Sequence, residues 1–227
     1  MTSHAMTGHA SRARAEAASL AEQDKSIVVK LGGSVVRSPD LSSWLDAIAA
    51  ARDPIVVVPG GGALADEVRA CQARLGFGDP AAHRMALLAM DQLAWAVAGL
   101  RSGFVVGATE AELRGALERG QVAVWAPYAL IAERTDIETS WRMTSDSLAL
   151  WLAGHLGARR CYLIKSIARR PQASASAAQL ARDGIVDAAF PSMLSEVGVP
   201  TVLLGRGDQA GFAAALSGTA SYGATID

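Results

Sequence analysis

Val29-Lys30-Leu31-Gly32-Gly33-Ser34 is the stretch on which the fold turns. The apolar run Ser26 to Leu31 reads as a buried strand. It stops at paired glycines, which let a chain turn sharply and bring its N–H groups against an anion. Ile55 to Val58 repeats the device and ends in Pro59-Gly60-Gly61-Gly62, ahead of a helical stretch from Ala63 to Leu75. Strand, glycine turn and helix in repetition imply parallel strands joined by crossover helices. Further on, Thr144-Ser145-Asp146-Ser147 opens another helical stretch and sets a carboxylate in its first turn. Lysine is scarce: among 21 basic residues only Lys25, Lys30 and Lys165 are lysines, and the last two stand at strand ends.

The rest of the chain keeps the alternation. Leu41 to Ala51 is a helix, and Asp79-Pro80 begins a long helix to about Leu100, with Asp79 as N-cap and Pro80 in the first turn. Phe104 to Val106 and Val122 to Trp125 are short strands around a helix from Glu110 to Glu118. Thr144 caps a helix to about Leu156, and Arg160 to Ile164 is another strand. After a polar loop and a helix, Thr201 to Leu204 is a late strand and Gln209 to Leu216 a helix. Continuous Val/Ile runs belong to strands buried on both faces, so the expected class is α/β, a three-layer αβα sandwich around a mainly parallel sheet. Residues 1–24 read as a flexible tail, with Ala13 to Gln23 helical within it, and residues 25–227 as a single domain.

Composition narrows the function. A chain of 227 residues with 51% hydrophobic content buries a full core. A formal net charge of -1, with scattered arginines matched by acids, gives no support for nucleic-acid binding. No apolar run approaches the roughly 20 residues that span a bilayer, so no membrane partner is expected. Cys71 and Cys161 lack metal-ligand spacing and read as free thiols, which fits a reducing, cytoplasmic setting.

The chemistry begins with Lys30. A lysine beside a glycine turn supplies a mobile positive charge to phosphate oxygens and stabilises charge that builds during transfer. Read alone, the same residues describe a tight βα turn with a surface lysine. Gly60-Gly61-Gly62 leads into a helix whose N-terminus favours anions. It is not a Walker loop, because no Gly-Lys-Ser/Thr follows, and it lacks the third glycine of a dinucleotide fingerprint. Asp146, in a first turn, is equally a capping residue when taken alone.

Lys-Leu-Gly-Gly-Ser, Pro-Gly-Gly-Gly and Thr-Ser-Asp-Ser together, in this order and over roughly Ser26 to Leu204, resemble the amino acid kinase superfamily of acetylglutamate, aspartate, carbamate, uridylate and isopentenyl phosphate kinases. The resemblance implies the carbamate kinase-like fold, with ATP and Mg²⁺ as cofactors and the metal carried by ATP rather than by side chains. It implies Lys30, Gly32, Gly33 and Ser34 on the transferring phosphoryl group and Gly60, Gly61 and Gly62 toward the acceptor. Asp146 orients the catalytic lysines, with Thr144 and Ser145 lining the nucleotide side. Residues 25–140 then form an acceptor-binding lobe and 141–227 a nucleotide-binding lobe. Lys165 ends the strand that leads to the nucleotide loop. There the chain departs from its relatives: Ser166-Ile167-Ala168-Arg169-Arg170-Pro171 replaces an Asp-Gly-Val/Ile-Tyr type turn, and no lysine follows Lys165. Lys165, or the arginines at 169 and 170, would have to compensate; a degenerate, non-catalytic binding subunit is the alternative.

The long helix suggests an acceptor. Ala82-His83-Arg84-Met85-Ala86-Leu87-Leu88-Ala89-Met90-Asp91-Gln92, with Ala-Asp-x-Val-Arg-x-x-Gln before it and Ser-Trp-x-x-Thr-Ser-Asp-Ser-Leu after it, resembles the aminomethylfuran phosphate kinases of methanofuran and methylofuran biosynthesis. That implies a small phosphate monoester as substrate. His83 and Asp91 share one face at i, i+8, and Ala86, Met90, Leu93 and Val97 are expected to form the core stripe. By residue type, Asp91 is expected to pair with the aminomethyl cation and Trp141 to pack on the flat ring. A nucleotide or isoprenoid phosphate is the other acceptor considered. The superfamily resemblance also implies a homo-oligomer.

Overall fold

The β-branched runs do become the core of one sheet. The computed structural model describes residues 26–168 and 173–227. The expected tail helix within 13–23 and Arg169 lie outside the described residues. In chain order the elements are β1 (Ile27–Leu31), α1 (Leu41–Ala49), β2 (Ile55–Pro59), α2 (Gly62–Leu75), α3 (Asp79–Ala98), β3 (Phe104–Gly107), α4 (Glu110–Glu118), β4 (Val122–Trp125) and α5 (Tyr128–Ile131). There follow α6 (Ser145–Leu156), β5 (Arg160–Ile164), β6 (Ser174–Ala175), α7 (Ala177–Arg182), α8 (Phe190–Val197), β7 (Thr201–Leu204), α9 (Gln209–Leu216) and β8 (Ala224–Ile226).

The strands order as β3-β4-β2-β1-β5-β7-β8-β6. All neighbours run parallel except β7 and β8. The sheet alternates its faces as a pleat requires. Ile27, Val29 and Leu31 point into one layer, against Trp44 and Leu45 of α1 and Phe212 of α9. Val28 points into the other, with Leu87 of α3, Leu148 and Leu152 of α6 and Phe190 of α8. Lys30 has the parity of Val28, so it faces the α6 layer. Phe212 knits the first layer together: its ring lies 5.5 Å from Trp44 and meets Tyr162 edge-on at 5.2 Å.

Register places the functional edge. Leu31 pairs with Pro59 on one side and Ile164 on the other, so the residues that follow, Gly32, Gly60 and Lys165, emerge abreast. From β1 the chain winds outward through β2 to β3 and β4, then returns to β5 on the opposite side. In open α/β sheets, ligands bind at the carboxyl ends of strands where the winding reverses.

Several expectations shift. Gly78, extended at φ -75 and ψ 166, is the N-cap of α3, and Asp79 is its first residue. The carboxylate of Asp79 instead accepts a hydrogen bond from the Gln72 amide at 2.8 Å. The buried residues of α3 are Ala82, His83, Leu87, Ala89, Met90, Ala94 and Val97, so Met90 and Val97 of the expected stripe are buried while Ala86 and Leu93 are not. The cause is tertiary: α3 packs on the sheet and on α2 together, which rotates His83 inward. The short elements α5, β6 and β8 lack the continuous Val/Leu run that marks β4 and β7, and the sequence pattern does not separate them from loop. Where local chemistry is strong, the bounds agree. α4 begins at a capping box, with the Thr109 hydroxyl accepting from the Glu112 N–H and the Glu112 carboxylate accepting from the Thr109 N–H. Among the described residues no helix is long and apolar enough to cross a membrane.

Phe212→Ala is expected to remove the aromatic clasp between β5, α1 and α9 and to cost about 3–5 kcal/mol, read as a lowered urea midpoint with an unchanged slope.

Candidate active site

Where Gly32, Gly60 and Lys165 emerge, the chain encloses a cavity of about 310 Å³. The two glycine turns meet there. A Cβ on Gly33 would stand 2.5 Å from the backbone nitrogen of Gly62, and one on Gly60 would stand 2.7 Å from that of Gly33. No side chain fits between backbones so close, and Gly62 also holds a left-handed φ of 52°. The two turns are therefore halves of one hollow. Within it the N–H of Gly32 is taken by the Ile164 carbonyl at 2.9 Å and that of Gly60 by the Leu31 carbonyl at 2.8 Å. Among the described residues no backbone carbonyl takes the N–H groups of Gly33, Ser34, Gly61 and Gly62. Gly33, Ser34, Gly61 and Gly62 line the cavity and Gly32 does not, so Gly32 acts as a sheet contact that shapes the turn. Gly60 lines the wall without an N–H to offer.

Asp146 is the centre of the charge arrangement. One carboxylate oxygen lies 2.6 Å from the Lys30 ammonium, a close charge pair, and the other accepts a hydrogen bond from Lys165 at 2.8 Å. Lys30 is 2% exposed and Asp146 4%. Burial pulls the Lys30 ammonium down and outweighs the attraction of Asp146, with Lys165 pushing the same way as burial, so its pKa falls to about 8. For Asp146, burial alone would push the carboxyl up, but the two ammonium groups overcome it and hold it below its usual range.

Asp146 is delivered by α6, and α6 is held by a residue that pattern reading missed. Asp187 accepts from the Thr144 N–H at 2.9 Å, the Thr144 hydroxyl at 2.9 Å, the Ser147 N–H at 3.1 Å and the Ser147 hydroxyl. It caps the helix from 40 residues away in sequence, so Thr144, although at the N-cap position, makes no cap bond of its own. Burial first, and then the nearby Asp146 charge, push the Asp187 carboxyl upward. Its only sequence signal is a lone acid after the apolar Ile185-Val186, which no local pattern distinguishes.

The cavity runs outward between α2 and α3. These helices are antiparallel, so Gly62 and Met90 mark the inner end and Gln72 and Asp79 the mouth. From Asp79 to Met90 is roughly 16 Å along the helix axis. Lining the outer part are Asp66, Arg69, Asp79, His83 and Trp141. Trp141 donates its indole N–H to Gln72 at 2.6 Å, and the Arg69 guanidinium lies 4.1 Å over its ring. Arg69 thus covers one face of the indole, and a flat ligand has only the other.

The structure brings Lys30, Asp146, Lys165, Gly33, Ser34, Gly60, Gly61, Gly62, His83, Trp141, Thr144 and Ser145 to one cavity. Asp91 is not brought there. Its carboxylate accepts from the Tyr128 N–H at 3.1 Å and caps α5, because the turn of α3 that buries His83 and Leu87 sends residue 91 toward the α5 side. Among the described residues no group of His, Cys, Asp and Glu could hold a metal ion directly.

The amino acid kinase family model matches residues 25–169 of this chain. The [5-(aminomethyl)furan-3-yl]methyl phosphate kinase of Methanocaldococcus jannaschii is 27% identical over 143 residues, 62% of this chain and 65% of that protein. This match spans less than two thirds of that relative. Among solved structures, uridylate kinase from Archaeoglobus fulgidus superposes with a TM-score of 0.66 at 17% identity, over 88% of this chain and 99% of that one. UMP kinase from Bacillus anthracis gives a TM-score of 0.66 at 12% identity, over 89% and 96%. At these identities the likeness establishes the fold.

Asp187→Ala leaves two N–H groups and two hydroxyls at the start of α6 without their acceptor, and is expected to cost about 2–4 kcal/mol in urea unfolding. Asp187→Asn, which keeps an acceptor oxygen, is expected to lose about half as much.

Proposed function

The chain belongs to the amino acid kinase family, and on that premise we propose that it transfers the γ-phosphoryl group of ATP to a small phosphate monoester, giving a diphosphate. The observation that carries the reading is the Lys30–Asp146–Lys165 triad at the floor of a cavity walled by two touching glycine turns. The acceptor we favour is [5-(aminomethyl)furan-3-yl]methyl phosphate, the substrate named for the relative that matches over 143 residues, with a role in methanofuran or methylofuran biosynthesis. A nucleotide or isoprenoid phosphate is the second reading.

In this mechanism an ionised oxygen of the acceptor phosphate attacks the γ-phosphorus. A new P–O bond forms as the bond to the β,γ-bridging oxygen breaks, and ADP leaves. The attacking group is already an anion, so no general base is required. Lys30 and Lys165 neutralise charge on the moving phosphoryl group and the leaving oxygen. Asp146 holds both ammonium groups toward one point, and Gly33, Ser34, Gly61 and Gly62 offer N–H donors to the phosphates. Mg²⁺ would arrive on the ATP phosphates and add positive charge there. In this reading residues up to 140 serve the acceptor and 141–227 the nucleotide, with Thr144 and Ser145 on the nucleotide side. The protein acts in the cytoplasm as a homo-oligomer, an association supported by Leu88 and Trp95, exposed on α3 at 44% and 68%.

The test is ADP release from Mg-ATP with the furan phosphate, alongside other phosphate esters. Lys30→Ala should lower kcat on the order of 100-fold or more. Transfer needs Lys30 charged, so kcat/KM is expected to fall as pH rises through about 8. Bound phosphates favour the charged form, which moves the same limb of kcat to higher pH. The limb should be absent from the residual activity of Lys30→Arg. A protein that binds no nucleotide by calorimetry sinks the kinase reading in every form.

A further inference from the structure

His83 is the unexplained group of the cavity. Its side chain is buried at 7% exposure and lines the cavity wall, and its buried Nε2 has no hydrogen-bond partner among the described residues. A buried polar nitrogen without a partner costs free energy of about 1–3 kcal/mol, which a ligand group would recover. Burial first, and Arg84 beside it, lower the imidazole below its usual range, so the ring is neutral near pH 7 and unsuited to hold a phosphate.

The surroundings say what it suits. Asp79 lies one helical turn nearer the mouth on the same face of α3, and Asp66 lines the facing wall on α2. Against these two carboxylates stands Arg69, which lies over the Trp141 ring. The outer half of the cavity is therefore net negative. The inner half is lined by two lysines against one aspartate, together with the positive end of α2, while the start of α6 is met by Asp187 behind the wall. A cavity polarised in this sense matches a zwitterion with phosphate inward and a cation outward.

Building on the phosphate-monoester reading above, we infer that the outer half of this cavity recognises an ammonium group on the acceptor, with His83 Nε2 accepting its hydrogen bond and Asp79 supplying the counter-charge. His83 and Asp79 are then specificity-determining residues that touch no reacting atom. The aliphatic wall between the two ends, Ala82, Ala86 and Leu87, fits an uncharged spacer such as a small ring.

Three acceptors that differ in one substituent test this: the furan methyl phosphate carrying aminomethyl, hydroxymethyl or methyl. Calorimetric titration should show the amine binding about tenfold or more tighter than either analogue, the value of one charged hydrogen bond. His83→Asn should bring the three to within about threefold by weakening the amine alone, with the ATP affinity unchanged. Asp79 is exposed, so Asp79→Asn removes the counter-charge without a risk to folding and should narrow the gap in the same direction. Equal binding of all three by the natural protein, a preference for the hydroxyl, or a uniform loss in His83→Asn overturns the inference. Amine preference in binding without any ADP release upholds it while overturning the kinase reading. ADP release at equal kcat/KM from amine and methyl forms does the reverse.

Discussion

Asp146 stands between two ammonium groups, with it and Lys30 almost wholly buried, and the rest of the site is arranged around that fact. Burying three charges carries a desolvation cost that attraction between them only partly offsets, so such a cluster is a poor device for stability alone. The sheet makes it achievable. β1 and β5 are neighbours in register, which sets Lys30 one residue before and Lys165 one residue after the paired ends Leu31 and Ile164. Two cations are thereby fixed to adjacent strands in the middle of the sheet. The single anion comes from the opposite layer, at the start of α6. Removing the anion would leave two cations without the carboxylate they share, and removing either cation would leave the anion with only the other as its counter-charge.

The position of Asp146 consequently depends on how α6 begins. A first turn has four N–H groups without intrahelical partners, and the usual local cap satisfies only one of them without tying the turn to the rest of the fold. Asp187 replaces that cap with a cross-molecule anchor, gripping the residues on both sides of the Ser145-Asp146 pair. The second wall is fixed differently. Gly33 and Gly62 approach so closely that the β1 turn and the start of α2 can only move together. One wall of the site is held by hydrogen bonds and the other by backbone contact, and both converge on Lys30.

How far sequence carries depends on how local the determinant is. The strands at Val122–Trp125, Arg160–Ile164 and Thr201–Leu204 were readable to the residue, because short apolar runs between turn residues have few other solutions. The α4 helix was equally clear, since its capping box is spelled out within four residues. The two lysines, the glycine turns and Asp146 were readable as parts, because glycine pairs at strand ends have a specific backbone use. What joins them was not. The contact of Gly33 with Gly62, and the reach of Asp187 to Ser147, join segments that no periodicity relates. Asp91 shows the same limit from the other side. Helical spacing put it on one face with His83, yet eight residues of helix drift around the axis by enough to give the two different neighbours.

The distribution of charge also bears on when the site becomes fully active. Burial is the first cause that lowers Lys30, and Lys165 adds to it against the attraction of Asp146 and Asp187. An arriving phosphate brings further negative charge beside the two lysines, and in doing so it favours the protonated form of the very lysine that must neutralise charge on the moving group. The depressed pKa is therefore a property of the empty cavity. Lys165 is less deeply enclosed than Lys30, and it shares the same carboxylate, so it can turn toward a second anion while Lys30 keeps its contact with Asp146. A cavity with one fixed and one more accessible cation on a common anion suits a reaction in which charge shifts from one phosphate to another across a short distance.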